Sequence, residues 1–306
     1  MVRVAHGVFL IALVATATAQ HVPDPLIKED GIVKVAPHTY VIPDDNVPLV
    51  PNVGIVVGSR GTLAIDPGLG RRNGEAVLRE LAKVSHNRDL YIASTHFHVE
   101  HTTGAIAFPP TAKYINPKVQ EQEFAEQGTQ QIEQFSRRSP ATAALLKGAT
   151  LRKTDISFER DYSLDLGGVR VRCAVVGPAH TRGDTAIFVE GDDVLFAGDV
   201  VMNQSFLAAG ADASMKGWLA AFDLFESMHP KVVVPSHGPY GDGSIIAANR
   251  AVMLAVQART RELKALGRSI DEVAQTVQKE IQAQHPSWPR ANGLANAARA
   301  AYRDLN

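Results

Sequence analysis

The chain has 306 residues, 45% hydrophobic and 21% charged, with a formal net charge of −1. This is ordinary globular composition, enough for one large domain or two small ones. The near-neutral charge, with no long basic run, argues against a nucleic-acid partner and leaves a small molecule as the expected one.

The N-terminus reads as a secretory signal peptide over 1–19. Met1, Val2 and Arg3 give a positive start, residues 8–14 are apolar, and Ala17-Thr18-Ala19 is a small-x-small cleavage site. The apolar run is well short of the ~20 residues a bilayer requires. No later stretch is long and apolar enough, so no membrane span is expected after cleavage, and the protein is expected to be periplasmic or secreted. The only cysteine, Cys173, lies in an alternating segment and reads as a small core residue, so no internal disulfide is expected.

Residues 20–30 read as a polar tether, and 31–306 as a single domain. Strands are expected at 40–42, 53–57 and 62–65, the last two joined as a hairpin by Ser59-Arg60-Gly61. Asp66-Pro67-Gly68 ends that hairpin. A helix over 74–84 puts Val77, Leu78 and Leu81 on one face. Strands follow at 90–94 and 114–115. Residues 119–147 have a polar helical pattern and read as an inserted segment, about 119–150, with no legible chemistry. Further strands are expected at 157–158, 162–164, 169–176, 185–189, 194–198 and 231–235. A helix at 215–228 precedes the last strand, and amphipathic helices over 244–305 follow it. The two halves repeat an order of hairpin, strand, polar loop and helix, which implies two packed sheets with helices outside.

The organising stretch is Thr95-His96-Phe97-His98-Val99-Glu100-His101-Thr102-Thr103-Gly104, directly behind the apolar strand. In an extended segment, residues i and i+2 face the same side, so His96 and His98 can meet one metal ion. If the chain then turns, Glu100 and His101 can face a neighbouring position. Imidazole nitrogen and carboxylate oxygen are donors that zinc accepts. His180, Asp199 and His237 each follow another apolar strand, and the strand ends of a common sheet converge in space.

On these residues, the chain resembles the metallo-β-lactamase superfamily over about 38–240. The family pattern of His-x-His-x-Asp-His, a later His, an Asp and a last His matches His96, His98, Glu100, His101, His180, Asp199 and His237. The resemblance implies an α/β fold, a four-layer αββα sandwich of two mixed sheets flanked by helices, with metals at one end. It implies a first metal on His96, His98 and His180, a second on Glu100, His101 and His237, and Asp199 bridging. Two zinc ions are expected, although iron or manganese suits the same donors. One position departs: Glu100 stands where the family usually has Asp. It binds the second metal with shifted geometry, weakens that site, or acts on the attacking water; the first reading is taken forward.

The implied activity is an exported zinc-dependent hydrolase using a metal-bound hydroxide on a cyclic amide or ester, β-lactamase-like or lactonase-like, with Glu100 and Asp199 as catalytic candidates. Two alternatives stay open: a thioester, sulfate-ester or phosphodiester hydrolase of the same fold, and a metal-binding redox or accessory protein with little turnover. Asp66 is a candidate for orienting a ligand histidine, or a plain turn residue. Asp184 is expected to hold the loop after His180. The loop at 44–52 covers the cleft or merely connects. Phe206 and Leu207 line a pocket or pack in the core.

Overall fold

The computed structural model describes residues 23–207, 209–210 and 213–305. The expected signal segment lies outside the described residues. The first sheet has seven strands in sequential order: β1 (Val33–Lys34), β2 (Thr39–Ile42), β3 (Val53–Val57), β4 (Gly61–Ile65), β5 (Asp89–Ala93), β6 (Lys113–Pro117) and β7 (Ile156–Phe158). β1 to β4 pair antiparallel, and β4 to β7 pair parallel. The second sheet runs β8 (Asp161–Asp165), β9 (Arg170–Val175), β10 (Thr185–Glu190), β11 (Val194–Gly198) and β12 (Val232–Pro235). Only its β11–β12 pair is parallel. Both sheets are therefore mixed.

Eight α-helices complete the described fold: α1 (Gly70–Val84), α2 (Val99–Thr102), α3 (Lys118–Ser136), α4 (Pro140–Leu145), α5 (Met215–Ser227), α6 (Ser244–Ala265), α7 (Ile270–Gln282) and α8 (Asn292–Asp304).

Three apolar seams define four layers. The middle seam joins the sheets: Val56, Leu63, Ile65 and Ile115 meet Val171, Cys173, Ile187 and Phe196. On the outer face of the first sheet, Ile55, Ala64 and Ile92 pack against Ala76, Val77 and Leu81 of α1. On the outer face of the second, Leu195 and Val233 pack against Trp218, Phe222 and Phe225 of α5, and α6 to α8 extend that layer. A strand buried on both faces needs apolar side chains at every position, not alternate ones. That accounts for the unbroken apolar run of β11, where all five residues are buried. The sheets pack closely at Gly54, where a Cβ would stand 2.4 Å from the Phe196 ring. Cys173 sits in this dry seam, where burial pushes its thiol up to about 12, so it is packing and not a nucleophile.

Some expectations shift. Helix α1 starts at Gly70, four residues early, because the Thr103 hydroxyl accepts the Gly70 N–H at 2.8 Å. The helical stretch expected over 119–147 is two helices. Arg137 and Arg138 leave the helix, and Ser139 and Thr142 form a reciprocal cap with Pro140 in the first turn of α4. Together, α3 and α4 connect the parallel strands β6 and β7. The described part of the tether is docked, not free: Ile27 is buried, its N–H donates to Asn73, and Glu29 and Asp30 pair with Arg79 and Lys83 of α1.

Candidate metal centre

The site forms where strands of both sheets end. β4 ends at Ile65, and Asp66 follows in the left-handed region with φ 55°. This turns its carboxylate toward the exit of the neighbouring strand β5. There it accepts the Thr95 N–H and the Thr95 hydroxyl, each at 2.8 Å, and the His101 Nδ1–H at 3.1 Å. His96 and His98 lie in the extended segment after β5, with ring centroids 4.6 Å apart. The turn after them is the single turn of α2, which carries Glu100 and His101 inward. Gly104 lets this loop close on the Asp66 turn, because a Cβ there would lie 2.1 Å from the Pro67 carbonyl oxygen.

The second sheet supplies three more donors. His180 follows β9, and Asp184 holds its loop by accepting the His180 N–H at 2.6 Å, the Thr181 N–H at 2.8 Å and the Thr181 hydroxyl at 2.7 Å. Asp199 follows β11. His237 follows β12 and donates its Nδ1–H to the Val50 carbonyl at 2.9 Å, which leaves Nε2 bare. The 44–52 loop is therefore a buttress. Asn52 donates to the Pro235 and Gly238 carbonyls, and Asp44 accepts the Gly238 N–H. Leu49 from the same loop also forms part of the cavity wall. Phe206 and Leu207 pack into the outer core of the second sheet.

All seven donors come together. One group is His96, His98, His180 and Asp199; the other is Glu100, His101 and His237; within each, the donor atoms lie within 4.8 Å of one another. His98 Nδ1 is 3.2 Å from His180 Nε2. Asp199 faces both groups: Oδ2 is 3.6 Å from His180 Nε2, while Oδ1 is 3.8 Å from both His101 Nε2 and His237 Nε2. His96 Nε2, His101 Nε2, Glu100 Oε2 and Asp199 Oδ1 are buried with no hydrogen-bond partner among the described residues. An unpaired buried polar atom costs about 1–3 kcal/mol, and four converging on one place are not left by accident. Bare imidazole nitrogens and carboxylate oxygens are a divalent-metal donor set, and the residues fit such ions.

The electrostatics agree with metal binding at His96, His98, His237 and Asp199, while His101 and Glu100 must lose protons to bind. Burial and neighbouring histidines hold His96 and His98 well below the usual histidine range, and burial lowers His237 to about 3. These rings are neutral at pH 7, as ligands must be. Burial also works against charge on His101, but Asp66, Asp199 and Glu100 outweigh it and lift that ring to about 9. Burial opposes the charge on Asp199 too, yet the surrounding histidines hold it well below the usual carboxylate range, whereas burial raises Glu100.

Two residues of α3 carry weight that their sequence context did not signal. Gln120, fully buried, places Nε2 3.0–3.2 Å from the Ser94, Thr95 and Gly183 carbonyls and the Thr185 hydroxyl. It ties the His96 loop to the His180 loop. Glu123 accepts the Arg182 and Gly183 N–H groups, both at 2.9 Å. Burial raises its carboxyl to about 7. An acid raised in the fold contributes stability that is full below its unfolded value near 4.5 and is lost as pH rises through 7. Glu123→Gln cannot ionise, so its melting temperature relative to wild type is expected to rise steadily from pH 4.5 to 7. A difference independent of pH in thermal unfolding scans would contradict this.

Among solved structures, a metallo-beta-lactamase from Pontibacter korlensis has 21% identity and a TM-score of 0.59, over 72% of this chain and 96% of that one. A metallo-beta-lactamase family protein from Thermus thermophilus has 19% identity and a TM-score of 0.62, over 89% and 95%. The inverting sec-alkylsulfatase Pisa1 from Pseudomonas sp. has 18% identity and a TM-score of 0.70, over 90% of this chain but 50% of its own. At these identities the likeness is one of fold. The sequence profile of the metallo-beta-lactamase superfamily matches residues 46–237, an interval that contains all seven donors and covers more than half of the sequence, so the chain belongs to that superfamily.

Proposed function

We propose that this protein is an exported zinc-dependent hydrolase that opens a cyclic amide or ester, β-lactamase-like or lactonase-like. His96, His98 and His180 hold one ion, Glu100, His101 and His237 hold a second, and Asp199 is shared. The observation that carries this reading is Asp199, whose two oxygens face the two donor groups at 3.6 and 3.8 Å. Bound metals would supply a water acidic enough to attack at neutral pH and positive charge for the substrate oxygen. The chain supplies the rest. Asp66 fixes the His101 ring by its Nδ1–H, and the Val50 carbonyl does the same for His237. Leu49 and Phe135 form an apolar wall beside the polar donors. The export signal at 1–19 suits an enzyme that meets such substrates outside the cytoplasm.

Sulfate esters are the second reading. It is favoured by the likeness to the sec-alkylsulfatase, which extends over 90% of this chain.

The deciding experiment is hydrolysis of a chromogenic β-lactam by zinc-loaded protein lacking residues 1–19, with and without a chelator. Hydrolysis that the chelator abolishes supports the first reading. No turnover by protein with measured zinc content moves the reading to lactones, thioesters or sulfate esters. Purification with iron, and a visible spectrum that changes on reduction, would instead favour a redox or accessory role.

A further inference from the structure

The cavity above the metal donors, about 380 Å³, is walled by two arginines, Arg138 and Arg290. Arginines elsewhere on this protein commonly meet a carboxylate, as Arg172 meets Asp161 and Arg259 meets Glu280. Neither cavity arginine has an ion pair among the described residues. Arg138 lies just past α3, its guanidinium carbon 3.5 Å from the centroid of the buried Phe135 ring. Stacking fixes the plane of the guanidinium and leaves its N–H edges available. Arg290 donates only to the Ser205 hydroxyl at 3.2 Å and the Met202 sulfur at 3.3 Å. Both are neutral acceptors; Asp44 acts on it through space without forming an ion pair.

Both guanidinium groups border the same cavity as the donor set. Arg138 acts electrostatically on His98 and Glu100, and Arg290 on His237. Gln131, Gln134 and Asn292 add amide groups to the same wall. A wall with two guanidinium groups that form no ion pair among the described residues recognises a planar or tetrahedral oxyanion, because each fork pairs two N–H groups with two oxygens.

Resting on the hydrolase reading above, we propose that the substrate is an anion, carrying a carboxylate or sulfo group that Arg138 and Arg290 grip while the bond to be cleaved lies over the metal donors. A neutral ester of equal size makes the same contact with the metals but leaves both arginines unpaired. The arginines therefore set selectivity, mainly through KM.

The test compares two esters of similar size, the 4-nitrophenyl monoester of glutaric acid and neutral 4-nitrophenyl butyrate, on zinc-loaded protein. Wild type should prefer the anionic ester in kcat/KM by at least about tenfold, the discrimination expected for one charge-assisted pair. Arg138→Gln with Arg290→Gln, at equal zinc content, should lose most of that preference, with the change in KM. A preference unaltered by the double substitution, or absent from wild type, overturns the proposal. If zinc-loaded wild type cleaves neither ester, the hydrolase reading is what fails, and the grip is then judged by calorimetric titration with monomethyl glutarate. Binding at least tenfold weaker in the double variant sustains the grip, and equal binding in the two proteins removes it. A sulfonate analogue in the same titration tells carboxylate from sulfo recognition.

Discussion

Zinc-loaded protein carrying both His98→Ala and His180→Ala is expected to hydrolyse its substrate at least ~10³-fold more slowly than wild type. Removal of a single electrostatic stabiliser costs about 10²–10³-fold, and this pair takes away two of the three imidazoles of one donor group. His98 Nδ1 and His180 Nε2 are 3.2 Å apart, so either alone leaves the other with no companion across the gap between the sheets. The loss should appear in kcat, with zinc content reduced by up to half and the second donor group still filled. Steady-state kinetics alongside metal analysis reads both. A double variant that keeps its rate would remove the metal centre from the mechanism.

The second large effect is expected at a residue that is not in either donor group. Asp66→Asn should weaken zinc binding by about 10–100-fold, the usual cost of losing the partner of a ligand histidine. Asp66 has three tasks at once: it accepts from the backbone and hydroxyl of Thr95 and from His101 Nδ1. Asparagine keeps the size but offers one carbonyl oxygen and an amide that repels the His101 N–H. Both the placement of the loop and the tautomer of His101 suffer. Competition with a chromophoric chelator gives the affinity. An Asp66→Asn protein that holds zinc as tightly as wild type would make this carboxylate a turn residue and no more.

The legibility of this chain followed the range of its interactions. The hairpin of β3 and β4, the strand ends and the seven donors are written in local patterns: alternation, apolar runs and histidine spacing within one loop. Asp184 was readable because it acts within its own turn, and Asp66 because its Asp-Pro-Gly turn marks a strand end, although its partners lie 29 and 35 positions away. What was hidden depends on distant partners. Nothing around Gln120 distinguishes it from the other glutamines of α3, since its four acceptors lie on distant segments of two different sheets. The support of His237 by Val50 spans 187 positions. Arg138 and Arg290 look like surface charges until the fold brings them to one cavity. The break between α3 and α4 is different in kind: Ser139-Pro140 followed by Thr142 is a readable cap, masked by the long helical pattern on either side of it.

Helix α3 runs under the ligand loops at one end and along the cavity wall at the other. Gln120 and Glu123 hold the loops, while Gln131, Gln134 and Phe135 face the substrate space. From Gln120 to Gln134 the helix spans fourteen residues, about 21 Å. A rod of that length transmits displacement more readily than it absorbs it. Under the proposed function, substrate range and metal grip are consequently expected to be linked. A smaller side chain at the buried Phe135, which would enlarge the cavity, also unsettles the helix that holds the loops at its far end. Laboratory evolution toward bulkier substrates should therefore gather compensating changes around Gly183 and Thr185, which do not line the cavity.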